Sequence, residues 1–157
     1  FLKNNQIEWY KSSVEETKKK YGDVKSMMYM HIPLVEYGEA ITPDEKGGYK
    51  FTDKCRYIYG AAYESVGSSE FNSGMFDAIL EGKSTQAVFS GHDHVNDYCV
   101  EYKGVYLVYS QYGGYETYTM GSNYSWDEKD WPQGVTVTDI KPDGSLEISR
   151  RFNSELL

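Results

Sequence analysis

Three histidines, His31, His92 and His94, are the only imidazoles in the 157-residue chain, and two of them stand one residue apart in Gly91-His92-Asp93-His94. Imidazole is the commonest protein ligand for metals. A His-x-His pair aims two rings into one volume when the backbone bends sharply, which Gly91 permits. The pair therefore points to a metal site, whereas His31 by itself would read as a hydrogen-bonded or exposed side chain. Asp93 should point away from its histidine neighbours if the segment is strand-like. Asn96 and Asp97 follow closely enough to orient a ligand histidine through a hydrogen bond, although the commoner role for such residues is bonding within a turn. Tyr37, and Tyr112 in the segment 111–115 with its Gly113-Gly114 pair, are candidates for the substrate side, because glycine lets a backbone approach a ligand closely.

The elements that must carry these residues can be read from spacing and punctuation. Residues 4–21 place Ile7, Tyr10 and Val14 at helical intervals opposite a Glu- and Lys-rich face, and Gly22 stops the pattern. Residues 25–30 form a short apolar run ended by His31-Ile32-Pro33, where proline forbids a central strand, so His31 is expected at the end of a buried strand. Residues 36–59, with Gly38, Pro43, Gly47 and Gly48, are expected to be a long irregular excursion. Ser73 is the expected N-cap of a helix carrying Met75, Phe76, Ile79 and Leu80 and closing at Gly82. The strand 86–90 then runs directly into the histidine turn.

Beyond that turn, residues 98–101 and 105–110 flank Lys103-Gly104, and 135–140 and 146–151 flank Pro142-Asp143-Gly144, two expected hairpins. Between them, residues 112–133 read as an ordered loop. The chain is thus βαβ-like at its start and antiparallel at its end, with no repeat or linker to divide it; residues 1–157 form one domain or part of one.

Composition excludes several classes. With 24 acidic and 16 basic residues and a net charge of -8, the chain has the wrong balance for a nucleic-acid partner. No run approaches the length of a membrane span, so no membrane insertion is expected. The start, without Met and without a basic or apolar leader, reads as that of a processed or truncated product. Cys55 and Cys99 permit one disulfide without requiring it. Asn123-Tyr124-Ser125 is a formal glycosylation sequon. The 16 tyrosines fit half-buried strands whose hydroxyls reach water, with a carbohydrate-stacking surface as the sharper alternative.

Together, Met30-His31-Ile32-Pro33-Leu34-Val35-Glu36-Tyr37, Phe71-Asn72-Ser73-Gly74 and Gly91-His92-Asp93-His94-Val95-Asn96-Asp97 resemble the calcineurin-like metallophosphoesterases, in the branch related to purple acid phosphatases. The resemblance runs over about residues 7–115. It implies the second, C-terminal half of a four-layer αββα sandwich, an α/β fold with the metal cleft at strand ends. It also implies two metal ions (Fe, Zn or Mn), with His31 and His92 on one and His94 on the other, and a bridging hydroxide as the nucleophile on a phosphoester substrate.

The family's upstream Asp-x-His, Gly-Asp and Gly-Asn-His-Asp or Gly-Asn-His-Glu segments have no counterpart here. They would supply the remaining ligands and the histidine that assists the leaving group. Gly22-Asp23 is the only Gly-Asp pair, and it reads as a helix C-cap. The partner implied is therefore the missing N-terminal half of the domain. The expected function is hydrolysis of phosphoric esters by the complete domain, with this chain alone inactive. The alternative is a non-catalytic fragment or binding module with an incomplete metal site. The secretory habit of related acid phosphatases leans the protein towards an extracytoplasmic location.

Overall fold

The computed structural model describes residues 1–114, 118 and 133–156. Helix α1 (Asn4–Tyr21) buries Ile7 and Tyr10 and exposes its lysine-rich face. Its amphipathic stripe docks it on the sheet, where the Tyr10 hydroxyl meets Thr85 Oγ1 at 2.8 Å. Gly22 ends it at φ 80°, with its N–H on the Lys18 carbonyl, in keeping with a C-cap at Gly22-Asp23.

The strands among the described residues are β1 (Ser26–Tyr29), β2 (Ile41–Pro43), β3 (Tyr49–Phe51), β4 (Arg56–Ala62), β5 (Thr85–Ser90), β6 (Asn96–Tyr102), β7 (Val105–Tyr109), β8 (Gly134–Ile140) and β9 (Leu146–Phe152). Helix α2 (Met75–Gly82) precedes β5, and α3 (Asn153–Leu156) comes after β9. The central sheet has the order β1-β5-β7-β6-β4. β1, β5 and β7 run parallel, and β6 is antiparallel to both β7 and β4. Strands β6 and β7 are joined by Lys103-Gly104, both at positive φ (49° and 83°), which suits the right-handed twist of a two-residue hairpin.

Alternation along the strands divides the core. Val88, Tyr98, Val100, Leu107 and Tyr109 face α1 and α2, whose Ile7, Tyr10, Phe76 and Ile79 share that cluster. Ala87, Phe89, Cys99 and Val108 face the other way and pack with Ile148 of β9, so the β8–β9 hairpin covers that side. The architecture is mixed α/β, a mixed central sheet with flanking helices, as expected for part of a metallophosphoesterase-like fold. Cys55 and Cys99 are both free thiols. No helix among the described residues is long and apolar enough to cross a membrane.

Three local expectations need correction. Residues 36–59 are not an irregular excursion: a 3-10 helix (Val35–Glu39), the β2–β3 hairpin and the start of β4 occupy them. The Asp44 carboxylate accepts the Lys46 and Gly48 N–H groups at 2.7 and 2.9 Å and makes that hairpin's turn; its three-residue strands are too short to show alternation. β1 is not buried. It pairs only with β5 among the described residues and leaves Tyr29 67% exposed. Helix α2 is capped by Gly74 at φ 79° rather than by Ser73, because Asn72 Oδ1 accepts the Gly74 N–H at 2.9 Å and forms the turn itself. The loop 112–133 and the sequon at 123–125 lie, apart from residues 112–114, 118 and 133, outside the described residues.

Candidate metal centre at the sheet edge

Parallel strands end at the same edge of a sheet, so β1 and β5 deliver the loops at their C-terminal ends to one place. Tyr29 is in register with Phe89, and the pairing continues past the strands: the Met30 N–H donates to the Phe89 carbonyl at 3.0 Å and the Gly91 N–H to the His31 carbonyl at 3.1 Å. His31 and His92 are thereby neighbours. Their rings meet edge to face with centroids 5.2 Å apart, and His31 Nε2 lies 3.3 Å from His92 Nδ1.

That spacing decides what the pair can do. Two ring nitrogens bound to one tetrahedral ion at about 2.0–2.1 Å stand about 3.3 Å apart. The pair therefore fits two corners of a metal site, and the same distance serves an N–H···N hydrogen bond between the rings when no ion is bound. His92 itself has φ 78°, an unusual conformation for a residue with a side chain, and such strain concentrates at functional sites.

His94 stands in different surroundings. Its ring stacks on Tyr118, centroids 4.3 Å apart and planes 13° from parallel, and lies 6.2 Å from the Tyr112 ring. His94 Nδ1 is 3.1 Å from the Tyr118 carbonyl. An Nδ1–H donated there leaves Nε2 with its lone pair, the tautomer a metal ligand needs. The Tyr118 hydroxyl accepts the His94 N–H at 3.2 Å and donates to the Glu64 carboxylate at 3.0 Å. Among the described residues, no three His, Cys, Asp or Glu side chains converge on one point that could hold an ion.

Asp93 points into the protein, 7% exposed. Its Oδ2 accepts the Gly67 N–H at 2.7 Å and the hydroxyl of Tyr109. Burial and this bond to a carboxylate push the Tyr109 phenol far above the usual tyrosine range.

The remaining candidates divide between scaffold and site. Tyr37 does not line a substrate surface: it is fully buried, and its hydroxyl donates to the Val88 carbonyl at 2.7 Å and accepts the Val108 N–H at 3.2 Å, between β5 and β7. Burial raises its phenol pKa. The glutamate and glycine around it suggest an exposed loop, but the 3-10 helix turns Tyr37 inward. Asn96, 1% exposed, accepts the Tyr63 and Glu64 N–H groups and donates to the Glu64 carbonyl. It thereby fixes the residue whose carboxylate holds Tyr118 against His94. Asp97 is one step along β6 and so on the opposite face, where Arg150 Nη1 donates to it at 2.7 Å; it touches none of the three histidines. Tyr112 lies beside His94, and Tyr115 is outside the described residues.

Spacing alone does not reveal Glu64, Gly67, Tyr109 or Tyr118. The aromatic richness of the segment is the available signal for Tyr118, and nothing local marks Gly67. Beside His31 and Gly67 opens a groove of about 530 Å³, walled by Leu2, Met30, Ile32, Leu34 and Phe71.

Comparison with known proteins agrees with this geometry. The chain is 31% identical, over 75% of its length, to a protein of Arabidopsis thaliana named "Probable inactive purple acid phosphatase 14", of which it covers 28%. It is 31% identical over the same share to "Probable inactive purple acid phosphatase 29" and 28% identical to "Probable inactive purple acid phosphatase 28", both of that plant, covering 29% and 27% of them. The chain thus spans under a third of the length of these curated relatives. No protein-family model matches it, and no solved structure does. The sheet, the histidine turn and this similarity agree that the chain belongs to the purple acid phosphatase-like branch of the metallophosphoesterases.

Proposed function

We propose that this chain forms one wall of a metal-dependent phosphoester hydrolase, with His31 and His92 sharing one ion and His94 serving a second. The observation that carries this reading is the 3.3 Å approach of His31 Nε2 to His92 Nδ1. The contact of His94 Nδ1 with the Tyr118 carbonyl, which sets the tautomer of that ring, supports it. When bound, the ions would neutralise charge on the phosphoryl oxygens and activate the attacking water. The chain's own part is to hold the ring nitrogens in place. The further ligands, and a group to assist the leaving alcohol, would come from the rest of the protein.

A second reading has its own support. The relatives carry "inactive" in their names, which favours a protein that keeps the scaffold, and part or all of the metal site, without turnover. Full-length protein separates the two. Metal analysis and p-nitrophenyl phosphate hydrolysis should give about two ions and turnover, with His92→Ala and His94→Ala each losing metal and activity. Full-length protein that holds the ions and hydrolyses no phosphoester supports the second reading. Protein free of metal removes both as stated.

A further inference from the structure

The backbone at Gly67 passes directly beside His92. A Cβ at residue 67 would lie 2.4 Å from Asp93 Oδ1, 2.8 Å from His92 Cδ2 and 3.1 Å from His92 Nε2. These are atoms of side chains, and residue 67 is not at positive φ. The backbone would therefore accept alanine there, and the cost would fall on the two side chains. Gly67 is held in place by its N–H bond to Asp93 Oδ2 at 2.7 Å, and Asp93 is held in turn by the Tyr109 hydroxyl. His92 is the one residue of the turn at positive φ, 78°, a conformation that persists only where its surroundings over-determine it.

We propose that Gly67 and Asp93 are positioning residues for His92. Asp93 clamps the Gly67 backbone against the Cδ2–Nε2 edge of the ring. The opposite edge, which carries Nδ1, is thereby presented to His31. The inference rests on the proposed metal-binding role for the consequence it assigns to that orientation, but the orientation is a property of the metal-free chain. It also gives Asp93, between the two histidines in sequence, a part that needs no contact with the ion.

The test is Gly67→Ala, with Gly38→Ala as control, because a Cβ at residue 38 meets nothing within 4 Å. Two readouts are taken on the full-length protein: imidazole nitrogen resonances without metal, and zinc affinity by calorimetry. Gly67→Ala is expected to shift the His92 ring signals, leave those of His94 in place and weaken zinc binding at least about ten-fold; Gly38→Ala should change neither. If Gly67→Ala folds poorly, Asp93→Asn carries the test, since it keeps the volume but weakens the clamp, and the same His92-selective shift is expected. Unchanged His92 signals in the folded variants overturn the proposal. A wild-type protein that binds no zinc defeats the metal reading instead, and the ring signals still decide the positioning role.

Discussion

His31 Nε2 and His92 Nδ1 face each other at 3.3 Å although 61 positions separate the two residues in the chain. Parallel pairing of β1 with β5 accounts for it. Once Tyr29 is opposite Phe89, the residues two and three places beyond must emerge at the same sheet edge, and a one-residue slip would send every side chain to the other face. The candidate site is thus a product of register. The 3.3 Å contact, the strained backbone of His92 and the Gly67 clamp converge on one ring.

Tyr37 belongs to the scaffold, and its loss should be felt as stability. Tyr37→Phe leaves the Val108 N–H without the hydroxyl it bonds in a fully buried place. The expected cost is about 1–3 kcal/mol, read from urea unfolding, with zinc affinity unchanged. A variant of wild-type stability that no longer binds zinc would return Tyr37 to the site.

Asp97 should make stability depend on pH through its partner in β9. Burial holds its carboxyl above the ordinary 3.8, and Arg150 opposes that shift. The folded chain therefore keeps the proton where the unfolded chain has released it, and stability falls as pH rises from about 3.8 through the raised folded value. Arg150→Met removes the opposing cation, raises the folded value further and leaves a buried carboxylate unpaired at neutral pH. The expected loss is about 3–5 kcal/mol at pH 7 and less at pH 4, compared by urea unfolding. An equal loss at both values would contradict this assignment.

The two thiols should differ in reactivity. Burial pushes the Cys99 thiol up to about 12, so almost no thiolate is present at pH 8, and its position in the sheet interior blocks reagent. Cys55 is only partly buried, and its pKa is raised chiefly by burial. Thiol labelling with mass-spectrometric readout should modify Cys55 slowly in the folded protein and Cys99 only on unfolding. Rapid labelling of Cys99 would mean that the β8–β9 hairpin does not cover that face.

Much of this arrangement is legible in the sequence because periodicity and punctuation act locally. The stripe of Ile7 and Tyr10, the Lys103-Gly104 turn and the Gly-flanked histidines each announce themselves within a few residues. The misreadings have two causes, contacts made far along the chain and elements too short to show a period. Tyr37 reads as a loop tyrosine until β5 and β7 supply its partners, and β2 and β3 are too short for alternation to register. Gly67 looks like any loop glycine, and only the fold brings it against the ring of a residue distant in the chain. Asn96 and Asp97 bond neither within a turn nor to a histidine: both lie in β6, and the pleat sends one towards Glu64 and the other towards Arg150.

The most direct measurement is a zinc-binding double-mutant cycle on the full-length protein, with His31→Ala, His92→Ala and the pair together, read by calorimetry. If the two rings share one ion, each single variant should weaken binding about 100-fold or more, and the double variant should cost much less than the sum, because the first loss already opens the site. Zinc affinity unchanged in both single variants would mean that the 3.3 Å contact is a hydrogen bond between rings, and that no metal is held there.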